Sequence, residues 1–163
     1  MLFASMQELI DACAGVIVVD GDSVTVEDAD AVRGDWIDRM IHNAVFHTDE
    51  GLRDRCRWLI RTTGQATGAI LASIEELYRA KAQGAYKGVA VPAINIRGLT
   101  VDVARAVLRA MAAIDGGPVL FEIARSEIGY TFQRPAEYGA CIMAAAIKEG
   151  HVGPLFVQGD HFQ

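Results

Sequence analysis

The chain has 163 residues, of which 52% are hydrophobic and 22% charged, a composition that excludes disordered, collagen-like and disulfide-scaffold proteins. Its length is that of one ordinary domain, or of one domain with a short extension. Fifteen Lys and Arg residues against 21 Asp and Glu residues give a net charge of −6 without a basic stripe, so we expect neither nucleic acid nor a membrane as a partner.

The first segment, 1–88, is predicted to be a mainly helical extension with one short β-hairpin. A capping box at Ser5–Glu8 predicts the first helix, and apolar residues recur at helical spacing within 36–45, within 52–60 and after Ser73. Within 16–26, two runs rich in valine flank the turn residues Asp-Gly-Asp-Ser, which is typical of a hairpin.

The second segment, 89–163, alternates between strands and helices. Strands are predicted at 89–96, 119–124 and 155–160, and helices at 101–114 and 135–148. Near-continuous apolar strands joined by such helices predict a parallel sheet in an α/β fold, either doubly wound or part of a barrel. A complete (βα)8 barrel needs about 250 residues, so three strands cannot close one. We expect an open three-stranded sheet to expose an unpaired edge and an uncovered apolar face.

Functional groups of parallel α/β proteins collect where the strands end, because apolar side chains fill the sheet interior. Polar residues follow all three predicted strands, so we expect them to meet at one edge of the sheet. They are Asn95, Arg97 and Gly98 after the first strand, Glu122, Arg125, Ser126 and Glu127 at the second, and Gln158, Asp160 and His161 at the third.

The adjacent pair Asp160 and His161 carries the most specific chemistry in this group. A carboxylate can move a proton and a neutral imidazole can bind a metal, and the chain curls at a strand end so that both can face one pocket. An Asp-His dipeptide alone is also compatible with a capping aspartate and a solvated histidine.

Three motifs together resemble a known family. Val91–Ile96, Pro118–Phe121 and Gly153–His161, in this order, resemble the first three strands of the class II, zinc-dependent ketose-bisphosphate aldolases. The resemblance implies a partial TIM (βα)8 barrel that consists of its first three strands, preceded by the helical extension. It also implies reversible cleavage of fructose or tagatose 1,6-bisphosphate into dihydroxyacetone phosphate and glyceraldehyde 3-phosphate.

The resemblance also implies roles for particular residues. In the family the third strand ends in an Asp-His pair, which implies that Asp160 is the catalytic acid/base and His161 a zinc ligand. The asparagine of the first motif contacts substrate and matches Asn95. A zinc ion would stabilise the enediolate of aldol cleavage as a Lewis acid.

We expect three further residues at these strand ends to contact the sugar phosphate: Arg125, Ser126 and Gln158. The planar guanidinium of Arg125 suits a phosphate, but it suits a carboxylate of Glu122 or Glu127 equally well. Both interpretations of Arg125 stay open at the level of sequence.

In the family, the remaining zinc ligands and the main phosphate loops come from later strands. The isolated 163-residue chain is therefore expected to be inactive as an aldolase, and the full-length parent to be a homo-oligomer. An alternative is a non-catalytic, sugar-phosphate-binding accessory subunit of an aldolase, because Ala124–Thr131 and Gly159–His161 also resemble the accessory subunits of tagatose-bisphosphate aldolase.

The cysteines indicate the compartment. Cys13, Cys56 and Cys141 are odd in number, widely spaced and set in apolar helical surroundings, which predicts reduced core thiols in a cytoplasmic protein. The first residues lack a basic region and include Glu8 and Asp11, so we do not expect them to form a signal peptide.

Two other patterns are assigned to structure instead of chemistry. Val16–Val24 resembles the first motif of haloacid-dehalogenase phosphatases, but its second apolar run favours a hairpin. His42 and His47 lie near two acidic residues, where a solvated helix end is the favoured interpretation over a metal site.

Overall fold

A computed structural model describes residues 1–162 and shows an α/β fold with two separate sheets. The helices are α1 (Met6–Asp11), α2 (Ala29–Ala31), α3 (Ile37–Phe46), α4 (Glu50–Ala66), α5 (Ile74–Ala82), α6 (Thr100–Ala113), α7 (Arg125–Thr131) and α8 (Pro135–Glu149), with a π-helical turn at Val32–Trp36. The strands are β1 (Ile17–Asp20), β2 (Ser23–Val26), β3 (Ala69–Ala72), β4 (Ala93–Asn95), β5 (Leu120–Ala124) and β6 (Gly153–Asp160).

The larger sheet has four strands in the order β3-β6-β5-β4, and every neighbouring pair is parallel. The expected α/β class with a parallel sheet is thus confirmed. Closure into a TIM barrel is not part of the described structure and stays a prediction. The antiparallel pair β1 and β2 forms the second sheet, which confirms the predicted hairpin.

The hydrophobic core lies on one face of the larger sheet. Phe121, Ile123 and Leu155 project from β5 and β6 into it, where they meet the almost entirely buried helix α8. Helix α8 packs in turn against α3, α4 and α6. The core therefore runs across residue 88, the boundary drawn from the sequence. Within residues 1–162, no helix has the length and apolar character needed to cross a bilayer.

The long elements of the second segment match their predictions closely. The helix predicted over 101–114 occupies Thr100–Ala113 as α6, while α8 begins at Pro135, the first-turn position that proline favours. The apolar stripe of α6 packs against α8, and α8 is buried on nearly all sides between the sheet and the other helices.

Strand β3 is absent from the elements predicted by the sequence. Ala69–Ala72 pairs with the outer edge of β6, with Ala69 opposite Gly153, so the sheet has four strands instead of three. The sheet remains open, with β3 and β4 as its two edge strands. A four-residue run after a long helix carries no alternating pattern, and only its distant partner identifies it as a strand.

Strand β4 is shorter than predicted. Strand structure is expected over 89–96, but pairing begins only at Ala93. The preceding residues fold back on α5, where Lys81 Nζ donates to the Val89 carbonyl at 2.7 Å and Tyr86 N donates to the Ala80 carbonyl at 3.1 Å. Pro92 has no amide proton to donate to a sheet.

The cysteines are free and buried, as predicted. Burial raises the pKa of the Cys56 and Cys141 thiols to about 12 and also raises that of Cys13. Because the thiolate is the reactive form, we expect Ellman's reagent to label none of the three thiols within minutes in the native protein and all three in guanidinium chloride. Rapid labelling of the native protein would contradict this packing.

Gly64 marks a close contact between α4 and α8. A Cβ atom at this position would overlap Met143 Sδ and lie 2.7 Å from Met143 Cγ. Since Met143 is fully buried, Gly64→Ala should lower the free energy of unfolding by about 1–3 kcal/mol. Urea denaturation measures this change.

The matched control for Gly64 is Gly139→Ala in α8, where an added Cβ meets no atom within 4 Å. This control should be neutral, or stabilising by about 0.5–1 kcal/mol through helix propensity. In a Met143→Ala background the Gly64→Ala penalty should shrink, because the clashing atoms are gone. An undiminished penalty in that background would rule out the Met143 contact as its cause.

Candidate functional site at the carboxyl edge of the sheet

The carboxyl ends of β4, β5 and β6 lie side by side, as predicted from the sequence. Asn95 is in register with Glu122, and Glu122 with Gln158. Residues in register on parallel neighbours project from the same face, so these three side chains form one row across the sheet. We call Asn95, Glu122 and Gln158 the polar row.

The polar row lies on the face turned away from the helices. Phe121 and Ile123, on either side of Glu122 in β5, are buried in the core, and strand alternation directs Glu122 to the opposite face. Asp160 lies two residues after Gln158 and is paired in register with Ala124, so it shares the face of the row. All four polar groups are partly exposed, which leaves them accessible to a ligand.

Asp160 and His161 meet at the end of β6. The backbone turns sharply at His161, whose φ of 54° lies in the left-handed region that few non-glycine residues adopt. This turn brings His161 Nε2 to 3.3 Å from Asp160 Oδ1. The Asp160 side chain is 32% exposed and that of His161 is 88% exposed, so the imidazole projects into solvent.

Glu122 and Gln158 are joined directly, because the Gln158 amide Nε2 donates to Glu122 Oε1. Burial raises the pKa of Glu122, and the negative charges of Asp160 and Glu127 raise it further. The charged form of Glu122 is therefore disfavoured at this edge. Glu122, which the sequence places at this edge without a role in the reaction, is thus a second carboxyl group able to carry a proton there.

Glu127 joins the ends of β4 and β5. Its side chain is only 4% exposed, and its carboxylate accepts three hydrogen bonds: from Ala124 N at 2.9 Å, from Asn95 Nδ2 at 3.3 Å and from Arg97 Nε at 2.6 Å. Burial raises the pKa of Glu127, but these donors outweigh it and hold the pKa below its usual range. Glu127 is thus a buried anion at neutral pH.

Helix α7 begins at the end of β5, where the sequence predicts no helix. The Glu127 carboxylate accepts from Ala124 N and so caps the helix start. Arg125 and Ser126, the expected phosphate contacts, occupy the exposed first turn. The signal for this cap is a glutamate three residues after the last strand residue.

The structure brings the predicted site residues to one edge but divides them into smaller groups. Asp160 contacts His161, Gln158 contacts Glu122, and Asn95 contacts Glu127 instead of either pair. The edge therefore offers a proton carrier, an imidazole and two amides. These groups can bind hydroxyls and move one proton.

The predicted zinc site is incomplete within the described residues. Protein zinc sites use three or four ligands, and His161 is the one zinc ligand predicted among the described residues. Residues 1–162 contain no cluster of three or more His, Cys, Asp or Glu side chains able to hold a metal ion. The remaining ligands are expected from later strands, so zinc binding by His161 stays a prediction.

A cavity of about 430 Å³ lies beside this edge, between α3 and the start of α6. Arg97 and Gly98 belong to its wall, whereas the polar row, Asp160 and His161 do not. The cavity therefore does not contain Asp160, the predicted acid/base. Arg97 connects the cavity to the candidate site, because it lines the cavity and contacts Glu127.

Comparisons of the chain with protein-family models, with curated proteins and with solved structures yield no match. The resemblance to class II aldolases therefore depends on the three sequence motifs alone.

Proposed function

We propose that this chain carries the first strands of an aldolase-like lyase that cleaves a ketose bisphosphate, with the substrate bound at the carboxyl edge of β4, β5 and β6. The observation that supports this proposal is the in-register polar row with Asp160 on the same face. The same face would line the interior of a TIM barrel, which is where the proposed fold needs polar groups at its carboxyl end.

In the proposed reaction Asp160 is the acid/base. Its carboxylate takes the proton of the hydroxyl next to the bond that breaks, the electron pair of that carbon–carbon bond passes to the dihydroxyacetone phosphate half as an enediolate, and the aldehyde leaves. The Asn95 and Gln158 amides hold substrate hydroxyls, and Arg125 and Ser126 bind a phosphate at the start of α7. Protonation of the enediolate completes the cleavage.

Zinc binding by His161 is a separate part of the proposal with its own test. We expect the full-length protein to bind about one zinc per chain and His161→Ala to lower that content. Asp160→Asn should retain the metal. A zinc content that His161→Ala leaves unchanged would remove His161 from the metal site.

A homo-oligomeric parent protein and a cytoplasmic location, the latter inferred from three unpaired cysteines, belong to the same proposal.

The deciding experiment compares cleavage and binding. The intact mass of the natural product comes first, because a mass above 17.6 kDa means that further strands are present and that the longer chain is the one to assay. Purified protein is then tested for cleavage of fructose and tagatose 1,6-bisphosphate and, by calorimetry, for binding of dihydroxyacetone phosphate. Binding with cleavage supports the lyase; binding without cleavage in the full-length protein favours the accessory subunit; absence of both contradicts the proposal.

A further inference from the structure

Glu127 is the most fully enclosed charged group at the candidate site, and three donors from separate places converge on it. The first donor is the backbone N of Ala124, the last residue of β5. The other two are the side chains of Asn95, the last residue of β4, and of Arg97 in the loop that follows β4. The donors use both carboxylate oxygens, since Ala124 and Asn95 reach Oε2 and Arg97 reaches Oε1. The carboxylate therefore controls the orientation of two side chains that a substrate would meet.

The hydrogen bond to Glu127 fixes which way round the Asn95 side-chain amide lies. Because Nδ2 donates to the carboxylate, the amide oxygen Oδ1 is left as an acceptor for another donor. A carboxylate cannot donate when ionised, so the reverse orientation of the amide would lose this bond. An ionised Glu127 thus selects the Asn95 orientation that accepts from a substrate hydroxyl.

The ion pair with Glu127 also holds the Arg97 side chain in one position. Its side chain is 63% exposed, yet Nε is held at 2.6 Å from the buried carboxylate. An arginine held through Nε keeps its terminal nitrogens for a second partner, and an ordered guanidinium avoids much of the entropy cost of binding. The Tyr130 hydroxyl is a further neighbour of this guanidinium.

We propose that Glu127 is a positioning residue that presents Asn95 to a substrate hydroxyl and Arg97 to a phosphate monoester. The inference rests on the proposed function, and it adds Arg97 to the groups that would recognise the substrate. Arg97 is the one Lys or Arg side chain among the described residues that line the adjoining cavity, whose lining otherwise carries three carboxylates, so the phosphate is placed at the Arg97 end. These carboxylates are Asp38, Asp102 and Glu137.

The test uses the full-length protein and measures binding of dihydroxyacetone phosphate, inorganic phosphate and dihydroxyacetone to the wild type, Glu127→Ala and Glu127→Gln. We expect Glu127→Ala to weaken binding of dihydroxyacetone phosphate by about ten- to a hundredfold, the usual effect of losing charged hydrogen bonds. Glu127→Gln keeps an acceptor without the charge and should be intermediate. Binding of dihydroxyacetone should change less than that of its phosphate.

The matched control is Glu149→Gln. Glu149 is also a carboxylate that pairs with an arginine, Arg105, at 2.6 Å, but its side chain is 14% exposed and it lies at the far end of α8. We expect this control to change thermal stability without changing phosphate affinity. In an Arg97→Ala background, Glu127→Gln should have little further effect on phosphate affinity, because the residue it orders is absent.

A second measurement follows the Asn95 side-chain amide by NMR, and it covers the case in which Glu127→Ala does not fold. We expect its two proton resonances to be distinct and slowly exchanging in the wild type and to shift in Glu127→Gln. Unchanged Asn95 resonances together with unchanged phosphate affinity in Glu127→Gln would overturn the positioning role.

The two proposals can fail independently. Glu127-dependent binding of inorganic phosphate without any binding of dihydroxyacetone phosphate would support the positioning of Arg97 and overturn the proposed lyase. Cleavage of the bisphosphate with wild-type KM in Glu127→Gln would support the lyase and overturn the positioning role. If neither phosphate compound binds the wild-type protein, both are overturned.

Discussion

Asp160→Asn should lower kcat for bisphosphate cleavage by about 10²- to 10⁴-fold, the usual contribution of a positioned acid/base. Asparagine has nearly the same shape as aspartate but cannot take up the proton of the substrate hydroxyl. We therefore expect KM to change little, because the Asn95 and Gln158 amides still hold the substrate. Steady-state kinetics on the full-length protein separates the two parameters.

The matched control for Asp160 is Asp22→Asn, which removes a carboxylate from the exposed turn between β1 and β2. This variant should keep wild-type kcat and KM. If Asp160→Asn retained wild-type turnover, the proton would have to be carried by another group, and Glu122 is the next carboxyl group on the same face.

Phe121→Ala should lower the free energy of unfolding by about 3–5 kcal/mol. Phe121 is fully buried in β5, which has a neighbouring strand on each side, with Ile94 and Val157 opposite Phe121 in register. Since helices cover its side chain and strands flank its backbone, the surroundings cannot collapse into the space left by the ring. Urea denaturation should show a lower midpoint with an unchanged slope.

The control for Phe121 is Phe46→Ala at the end of α3, where the side chain is 64% exposed. The same truncation at this surface site should change stability by about 0.5 kcal/mol or less. A loss at Phe121 no larger than that at Phe46 would mean that β5 is not the centre of the core.

The structure shows why some elements were predictable and others were not. Helices α6 and α8 are long, with an amphipathic or apolar pattern, and α8 begins at a proline in its first turn, so the signals that predict them are local. Strands β3 and β4 have four and three residues, and each depends on hydrogen bonds to residues far away in sequence. Short strands of this kind carry too few residues to show a period of two.

Some features of the candidate site could also be predicted from the sequence, and others could not. The polar residues at the strand ends and the Asp160–His161 pair could be recognised from the sequence, because parallel strands place their carboxyl ends together. By contrast, the sequence left Arg97 and Glu127 as two unconnected charges 30 residues apart. Their pairing requires β4 and β5 to lie side by side, which only the folded sheet provides.

The sequence by itself thus determined the α/β class, the hairpin, the free buried cysteines and the edge where the polar groups collect, because each depends on local periodicity, composition or strand polarity. Tertiary structure alone decided the fourth strand, the separate contacts within the polar groups and the burial of the Glu127 charge. These depend on which distant segments meet, and neither residue type nor spacing along the chain specifies that meeting.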